Sequence, residues 1–368
     1  ETSAHVHIML PGLSANDYIE VKTKRSTTTN SYDTSMQTTS LYAEKIATSR
    51  VVFSGTATRT VAGTNLNGNA SGLQWTSSRK DSGFTHSANG HEITLTGAGK
   101  YLVFANIPIY GAVERGSIGL EVKLNGSRIS GGLAQQGFIR NLEGSKDGSV
   151  HWAGLVTATA GQKLKIDAIK AAENGTITVK GGEKASIFIE KLANTSDLYA
   201  ATATGVGNGS ANWNPDAKST INWSTDETID PLTYTHSTSS NAQQITIKKF
   251  GDYLLLYNDA LKDGNARGNV RITVQVNGVD VPGATTKTHY NRRANNHNES
   301  SASLVTLLSE LAVNDVVTVS VQREARDGNT NDEVPAKLAL LLRPPLPNPV
   351  PTVQVTGNSR TVPLTLST

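Results

Sequence analysis

Two histidines near the start of the sequence have a spacing that would place metal ligands on a β-strand. His5 and His7 are two residues apart, so on a strand their imidazoles share one face. Imidazole nitrogen is a common zinc ligand. The repeat-equivalent positions elsewhere in the chain are not both histidine. This favours the alternative that the two side chains lie on a strand surface or in a core.

A second pair of histidines occupies matching positions in two sequence repeats. His86 and His236 both stand within the tripeptide THS. A catalytic group is rarely needed twice in one chain. We therefore expect each of them to make a structural hydrogen bond.

The segment 327–333 has oxygen-bearing residues spaced like the start of a calcium loop. Asp327, Asn329 and Asn331 would supply the ligands, because calcium prefers carboxylate and amide oxygens. The segment lacks the glycine expected at the sixth position, and Leu338 stands where the twelfth should be a carboxylate. A polar hairpin loop is the favoured alternative, and we predict no cofactor.

A basic loop is the candidate binding site. Tyr290 is followed closely by Arg292 and Arg293, and an aromatic ring beside two guanidinium groups suits an anionic glycan or a phosphate. The favoured alternative is a solvated loop without a ligand.

No motif of catalysis is present. The sequence contains no G-x-S-x-G nucleophile elbow, Walker loop, G-x-G-x-x-G or H-E-x-x-H motif. Paired carboxylates for glycoside hydrolysis are assembled only in space, so they stay open at this stage. We predict a protein that is not an enzyme and has no catalytic residues.

The composition favours strands and excludes several classes of protein. The 368 residues include 33 glycines but no cysteine, which rules out disulfides and thiolate metal sites. No apolar run approaches the roughly 20 residues of a membrane helix. We therefore predict no membrane span. The formal charge of +3 comes without a dense basic block, so we also predict no nucleic-acid partner.

One sequence repeat occurs about two and a half times along the chain. The pair Asn125-Gly126, which signals a hairpin after an alternating strand, recurs as Asn277-Gly278, and 277 − 125 = 152 residues. HVHIMLPGL at 5–13 corresponds to SVHWAGLVT at 149–157. The repeat therefore has the length of a domain.

The repeats divide the chain into four parts. Residues 1–47 match the second half of a unit, 48–193 and 194–343 are complete units, and 344–368 form a proline-rich extended tail. A half sandwich leaves an apolar face and sheet edges uncovered. We expect upstream residues or another chain to complete residues 1–47, and the tail to add as an edge strand.

Each copy also contains two apolar stretches separated by a polar loop. In the first copy the stretches are 15–25 and 41–47, in the second they lie within 160–193, and in the third they are 313–323 and 336–343. Alternation of apolar and polar residues predicts half-buried strands. We predict a β-hairpin with one face on a core in each copy.

The order of these elements resembles the C1q/TNF-like jelly roll. RVVFSG (50–55) is similar to the first strand of that family, and GKYLVF (99–104) and GDYLLL (251–256) are similar to its G-x-Y-x-F signature. NDVV (314–317) is similar to its G-D-x-V turn, whereas the closing strands IFIEKL and KLALLL depart from its F-x-G-F ending. The resemblance implies tandem all-β sandwiches of two sheets, usually homotrimers, with roles in binding or structure.

Two functions follow from these expectations. The first is a structural or decorating protein of an extracellular assembly, a virion (phage) surface or fibre component of trimeric jelly rolls that exchange strands through their termini. The alternative is a cell-surface adhesin or lectin-like module that binds a host glycan or receptor. Expected partners are copies of the chain and other subunits of the same assembly, on an extracellular or virion surface.

Overall fold

A computed structural model describes most of the chain. The described residues are 5–15, 17–22, 41–57, 71–111, 117–136, 147–170, 177–179, 185–194, 197–207, 209–263, 268–289, 298–325, 330–343 and 361–365. All regular elements in these ranges are β-strands, which confirms the all-β prediction. None of the described residues forms an apolar helix long enough to cross a membrane.

The first sandwich consists of strands from the first complete repeat. They are β2 (Val51–Ala57), β3 (Ser71–Gly72), β4 (Thr76–Lys80), β5 (Phe84–Thr85), β6 (Glu92–Leu95), β7 (Gly99–Gly111), β8 (Ile118–Leu124), β9 (Ser127–Gln135), β10 (Asp147–Ala158), β11 (Lys163–Lys170), β12 (Ile177–Val179) and β13 (Ala185–Lys191).

The second sandwich consists of strands from the second complete repeat. They are β14 (Leu198–Ala203), β15 (Ser219–Thr220), β16 (Thr225–Ile229), β17 (Tyr234–Thr235), β18 (Ile245–Ile247), β19 (Gly251–Asp263), β20 (Asn269–Val276), β21 (Val279–Lys287), β22 (Glu299–Leu311), β23 (Val316–Ala325) and β24 (Thr330–Arg343).

The two ends of the chain meet in a small sheet of their own. β1 (Tyr18–Lys22) pairs antiparallel with β25 (Thr361–Thr365). The tail therefore adds a strand, as expected, and its partner is the incomplete repeat at the start of the chain.

Both sandwiches have the same strand order. One sheet of the first runs β10-β7-β13-β2-β4 and that of the second runs β22-β19-β24-β14-β16. The opposite sheets run β5-β6-β11-β8-β9 and β17-β18-β23-β20-β21. Two antiparallel sheets with these crossovers form a jelly roll. The repeated sequence thus folds into a repeated structure, while the exact boundaries 48–193 and 194–343 stay a prediction.

Each sandwich encloses its own apolar core, in which large aromatic rings are prominent. Trp75 and Trp152 are completely buried in the first core, and Trp213 and Trp223 in the second. Along β7 the alternate residues Tyr101, Val103 and Ala105 face the core. Burial of a side chain the size of Val103 contributes about 1.5–3 kcal/mol to folding.

The Asn-Gly pairs form tight turns, as the sequence predicts. Asn125 and Gly126 have φ angles of 48° and 83°, and Asn277 and Gly278 have 52° and 80°. Two consecutive residues with positive φ match the type I′ turn, whose twist suits a two-residue hairpin. Each turn joins neighbouring strands of one sheet, β8 to β9 and β20 to β21.

The hairpins predicted at the end of each copy are wrong. β11 and β13 lie in opposite sheets of the first sandwich, and β23 and β24 lie in opposite sheets of the second. Alternation specifies that one face of a strand is buried, but it does not specify the neighbouring strand. In the first copy, residues 41–47 are described but belong to no strand.

Candidate functional site

The predicted metal and binding residues fall largely outside the described residues. This applies to Asp327 and Asn329 of the calcium-like segment and to Tyr290, Arg292 and Arg293 of the basic loop. Asn331 is described, and it is an exposed residue on β24 opposite Lys262. Across the described ranges, no group of three or more histidine, aspartate or glutamate side chains is arranged to hold a metal ion. The calcium and glycan sites stay predictions.

The prediction for the paired THS histidines is confirmed. The Nε2 atom of His86 lies 3.0 Å from the carbonyl oxygen of Gly90, and that of His236 lies 2.9 Å from the carbonyl oxygen of Ala242. A carbonyl oxygen only accepts, so each imidazole donates its Nε2 proton. Both histidines fasten the loop that follows them.

The two sandwiches meet at an apolar junction. Residues that alternate with the core positions of β7 and β19 face away from their own cores and toward the other sandwich. With residues from β10, β14 and β24, and with Leu192 just after β13, they form one buried cluster: Leu102, Phe104, Ala153, Leu155, Leu192, Leu198, Ala200, Leu254, Leu256, Ala339 and Leu341. Because these side chains are buried by the other sandwich, the two repeats form one packed unit.

Hydrogen bonds specify how the two sandwiches meet. The backbone N–H of Gln135 donates to Ser301 Oγ over 2.7 Å, and its side-chain Nε2 donates to Glu299 Oε2 over 2.8 Å. Asn258 Nδ2 donates to the carbonyl of Leu133 over 2.9 Å. Polar groups of this kind do not pair across a slipped interface, so they fix its register.

A network of charges connects the N-terminal segment, by which we mean the described residues up to 47, to both sandwiches. Glu44 contacts Arg50 and also Arg343 at the end of β24, while Arg50 Nε donates to Glu190 Oε1 over 2.6 Å. The Tyr42 hydroxyl donates to Glu44 over 2.9 Å, and burial raises the pKa of Tyr42 to about 12. Glu44 therefore links residues from three parts of the chain.

Four histidines lie together beside this junction. The rings of His5 and His151 contact edge to face with 5.9 Å between centroids, and His7 lies 5.2 Å from the Phe104 ring. His5 Nε2 is 3.0 Å from Thr286 Oγ1 in the second sandwich. The N-terminal segment thus reaches both sandwiches through its two histidines.

Burial keeps these imidazoles neutral. It lowers the pKa of His5 to about 4 and that of His7 to about 3, and it lowers the pKa of His289 to about 4. The pKa of His151 is also far below the ordinary value, first through burial and then through its histidine neighbours. The structure agrees with the core-imidazole alternative for His5 and His7. The sequence did not single out His151, although the match of 5–13 to 149–157 aligns it with His7.

A pair of buried acids lies in the second sandwich. Asp259 has no exposed surface, and the Tyr257 hydroxyl donates to its Oδ2 over 3.1 Å. Burial raises the pKa of Asp259 to about 8, and burial together with the charge of Asp259 raises the pKa of Asp332 to about 9. Because Asp259 is sealed from solvent, it cannot touch a polysaccharide, and this pair is not a glycoside-hydrolysis site.

Comparison with known proteins gives a likeness to solved structures only. No protein-family model matches the sequence, and the search of curated proteins found no match. Crystal structures of murine APRIL at pH 5.0 and at pH 8.5 are 17% and 16% identical, with TM-scores of 0.29 and 0.28. Each covers 39% of this chain and 99% of the APRIL chain. The jelly-roll fold of both sandwiches is assigned from their strand order alone.

Proposed function

We propose that this protein is a non-enzymatic structural component of an extracellular assembly, a decorating or fibre protein of a virion surface. In this proposal its jelly rolls are arranged in threes, and the pairing of β1 with β25, which lies within one chain here, is exchanged between neighbouring subunits. A durable assembly without disulfides has to depend on buried apolar interfaces, and the chain has no cysteine.

The observation that carries the proposal is the meeting of three parts of the chain at one junction. The two sandwiches share the apolar cluster around Leu254 and Leu256. The N-terminal segment packs beside this junction through His5, His7 and Glu44, and it contacts both sandwiches. Its sequence matches the same repeat. Such a grouping supports assembly around a common centre more than it supports a free-standing catalyst.

Sedimentation velocity over a hundredfold range of protein concentration tests the proposal. We expect a defined oligomer that persists on dilution, because strands exchanged through termini lock subunits together. A stable monomer at every concentration, with residues 5–22 free in solution, would overturn it.

The adhesin alternative has a separate test. It depends on the loop with Tyr290, Arg292 and Arg293, which lies outside the described residues. Saturable binding on a glycan array that disappears when both arginines are changed to glutamine would favour this alternative.

A further inference from the structure

We propose that one end of this molecule is a docking surface for the same end of a second copy of the chain, with the two copies related by a two-fold axis. Exposed apolar loops on the second sandwich of each copy lie on small, basic loops on the first sandwich of the other. The contact uses a different surface from the strand exchange of the proposed function, so it goes beyond that function and does not depend on it.

The apolar part of this surface consists of loop residues of the second sandwich. Beyond residue 47, the exposed large hydrophobic side chains of the described residues are Leu232, Phe250, Val279 and Val313, with exposed fractions of 72%, 68%, 70% and 52%. We call these four residues the apolar tips. A single exposed aliphatic side chain is ordinary on a protein surface, but several at one place mark an interaction site.

Hydrogen bonds between loops hold the apolar tips together. The four loops follow one another along one end of the sheet β17-β18-β23-β20-β21. The backbone bonds that connect them, written as donor N–H and acceptor carbonyl, are Lys248 to Thr233 (2.9 Å), Asn314 to Ile247 (2.8 Å) and Asn277 to Val316 (2.9 Å). Neighbouring strands are about 4.8 Å apart, so the row of loops is roughly 15 Å long.

The first sandwich has small side chains at the matching positions. By repeat matching, these are Ser82 for Leu232, Ala98 for Phe250, Ser127 for Val279 and Ala160 for Val313, and all four are exposed. The loops themselves are alike. Gly161 and Asn314 have φ angles of 84° and 76°, and the Gly161 N–H donates to the Leu95 carbonyl as that of Asn314 donates to Ile247. Folding alone therefore does not account for the apolar tips.

The two ends also differ in the sign of their charge. Three basic residues of the first sandwich match acidic residues of the second: Lys80 matches Asp230, Lys100 matches Asp252 and Arg128 matches Asp280. The end of the first sandwich is thus small and basic, and the end of the second is apolar and acidic.

Other charges at the two ends leave this difference in place. Arg128 Nη1 lies 3.0 Å from Glu121 Oε1, and Asp280 Oδ2 lies 2.7 Å from Lys218 Nζ, so this matched pair is partly neutralised. The acidic end also contains two lysines and two further acids, which offset each other: Lys248, Lys249, Glu310 and Asp315. The contrast in charge therefore depends mainly on the other two matched pairs.

The two ends lie side by side on one side of the molecule. Arg343 Nη2 lies 3.9 Å from Glu190 Oε2, which joins the ends of β24 and β13. Arg343 is opposite Asp252 at the start of β19, and Glu190 is opposite Leu102 near the start of β7. The loops that precede β7 and β19 therefore share one end of the molecule.

A two-fold axis between the two ends matches both of them at once. Rotation about an axis in the plane of the ends places the apolar tips of each copy on the small, basic end of the other, so the same contact forms twice. Contact between the apolar tips of both copies would instead bring Asp230 and Asp252 close to like charges, which disfavours it. A second copy in this orientation is therefore the occupant that fits both side-chain size and charge.

Self-association of the full chain tests the contact, with a variant that copies one repeat into the other. Leu232→Ser with Phe250→Ala gives the second sandwich the residues of the first. Sedimentation equilibrium should show a dissociation constant that rises by about tenfold or more, because the variant loses most of the apolar area of the contact. Ile8→Ala, at a position 56% exposed in the N-terminal segment, is the control and should not change the constant.

Charge reversal identifies the partner as a second copy. One variant makes the first end acidic (Lys80→Asp with Lys100→Asp), and another makes the second end basic (Asp252→Lys with Asp280→Lys). Each variant alone sets like charges against each other in both contacts, so we expect association to weaken by about tenfold. An equimolar mixture sets opposite charges against each other in both contacts, so it should recover the affinity of the wild type.

The inference is wrong if the apolar substitutions leave association unchanged, or if the mixture associates no better than its components. Binding of the wild type to phosphatidylcholine vesicles without self-association would also overturn it, and would assign the apolar tips to a membrane surface. Strand exchange between β1 and β25 uses none of the substituted residues. Oligomers that survive every substitution would therefore leave the proposed function standing while this inference fails.

Discussion

At the scale of single residues, the buried carboxyl groups of Asp259 and Asp332 stay protonated at neutral pH in the folded protein, whereas in the unfolded chain they are ionised. Burial raises the pKa of Asp259 to about 8 and that of Asp332 to about 9 in the folded protein, against about 3.9 in an unfolded chain. A carboxyl with a raised folded pKa stabilises the fold through its bound proton. This contribution is complete below about pH 4 and is lost as pH rises through 8 to 9.

Asp259→Asn should therefore remove much of the stability loss between pH 5 and pH 9. Over the pH range in which one carboxyl is protonated in the folded state but ionised in the unfolded state, the free energy of unfolding falls by about 1.4 kcal/mol per pH unit. The amide has the shape of the protonated acid and still accepts the Tyr257 hydrogen bond. Urea unfolding at pH 5, 7 and 9 measures the effect. A variant whose stability falls with pH as steeply as that of the wild type would contradict the buried protonated pair.

At the scale of elements, the N-terminal segment docks through side chains that must stay neutral. His5 and His7 face His151, Thr286 and Phe104, and the neighbouring charges that lower their pKa further belong to other histidines. Because docking lowers the pKa of each histidine, each one binds a proton more readily when the segment is released than when it is docked. Docking is therefore complete above about pH 6.5 and weakens as pH falls toward 4.

Acid should release the segment before it unfolds the sandwiches. The two histidines together cost docking roughly 4 kcal/mol between pH 6.5 and pH 5. Nuclear magnetic resonance of the His5 ring should show a released, protonated population at pH 5 that is absent at pH 7.5. His7→Phe should halve the pH dependence, because phenylalanine stays apolar beside Phe104. Equal opening of wild type and variant at pH 5 would place the sensitivity elsewhere.

Local sequence patterns predicted the strands and turns better than they predicted which strands pair with each other. The Asn125-Gly126 turn follows from φ preferences, and the first strand expected at 50–55 is observed as β2 (Val51–Ala57). The hairpin of β11 with β13 was wrong because the crossing between sheets is decided by contacts distant in sequence. The histidine cluster was missed for the same reason: His5 and His151 are far apart in the chain and meet only through the packing of three parts.

At the scale of the whole molecule, each sheet that forms the junction has two apolar faces. One face closes the core of its own sandwich, and the other packs on the neighbouring repeat. Tyr253 and Leu255 on β19 face the core, while Leu254 and Leu256 face the junction. A sheet that is apolar on both sides needs cover on both. The two sandwiches therefore depend on each other, and the junction should couple their unfolding.

Leu256→Asp should uncouple the two sandwiches without destroying either one. Leu256 has no exposed surface and lies in the junction cluster, outside the core cluster of the second sandwich. A buried, unpaired carboxylate costs several kcal/mol, so we expect the cheapest relaxation to be separation of the sandwiches. Calorimetry should then resolve two transitions, against the single transition that we expect of the wild type, and small-angle scattering should show a longer particle. Val279→Asp, at a position 70% exposed, is the control and should keep the single transition. One unchanged transition in Leu256→Asp would mean that the junction carries little of the stability, and that the sandwiches are only tethered.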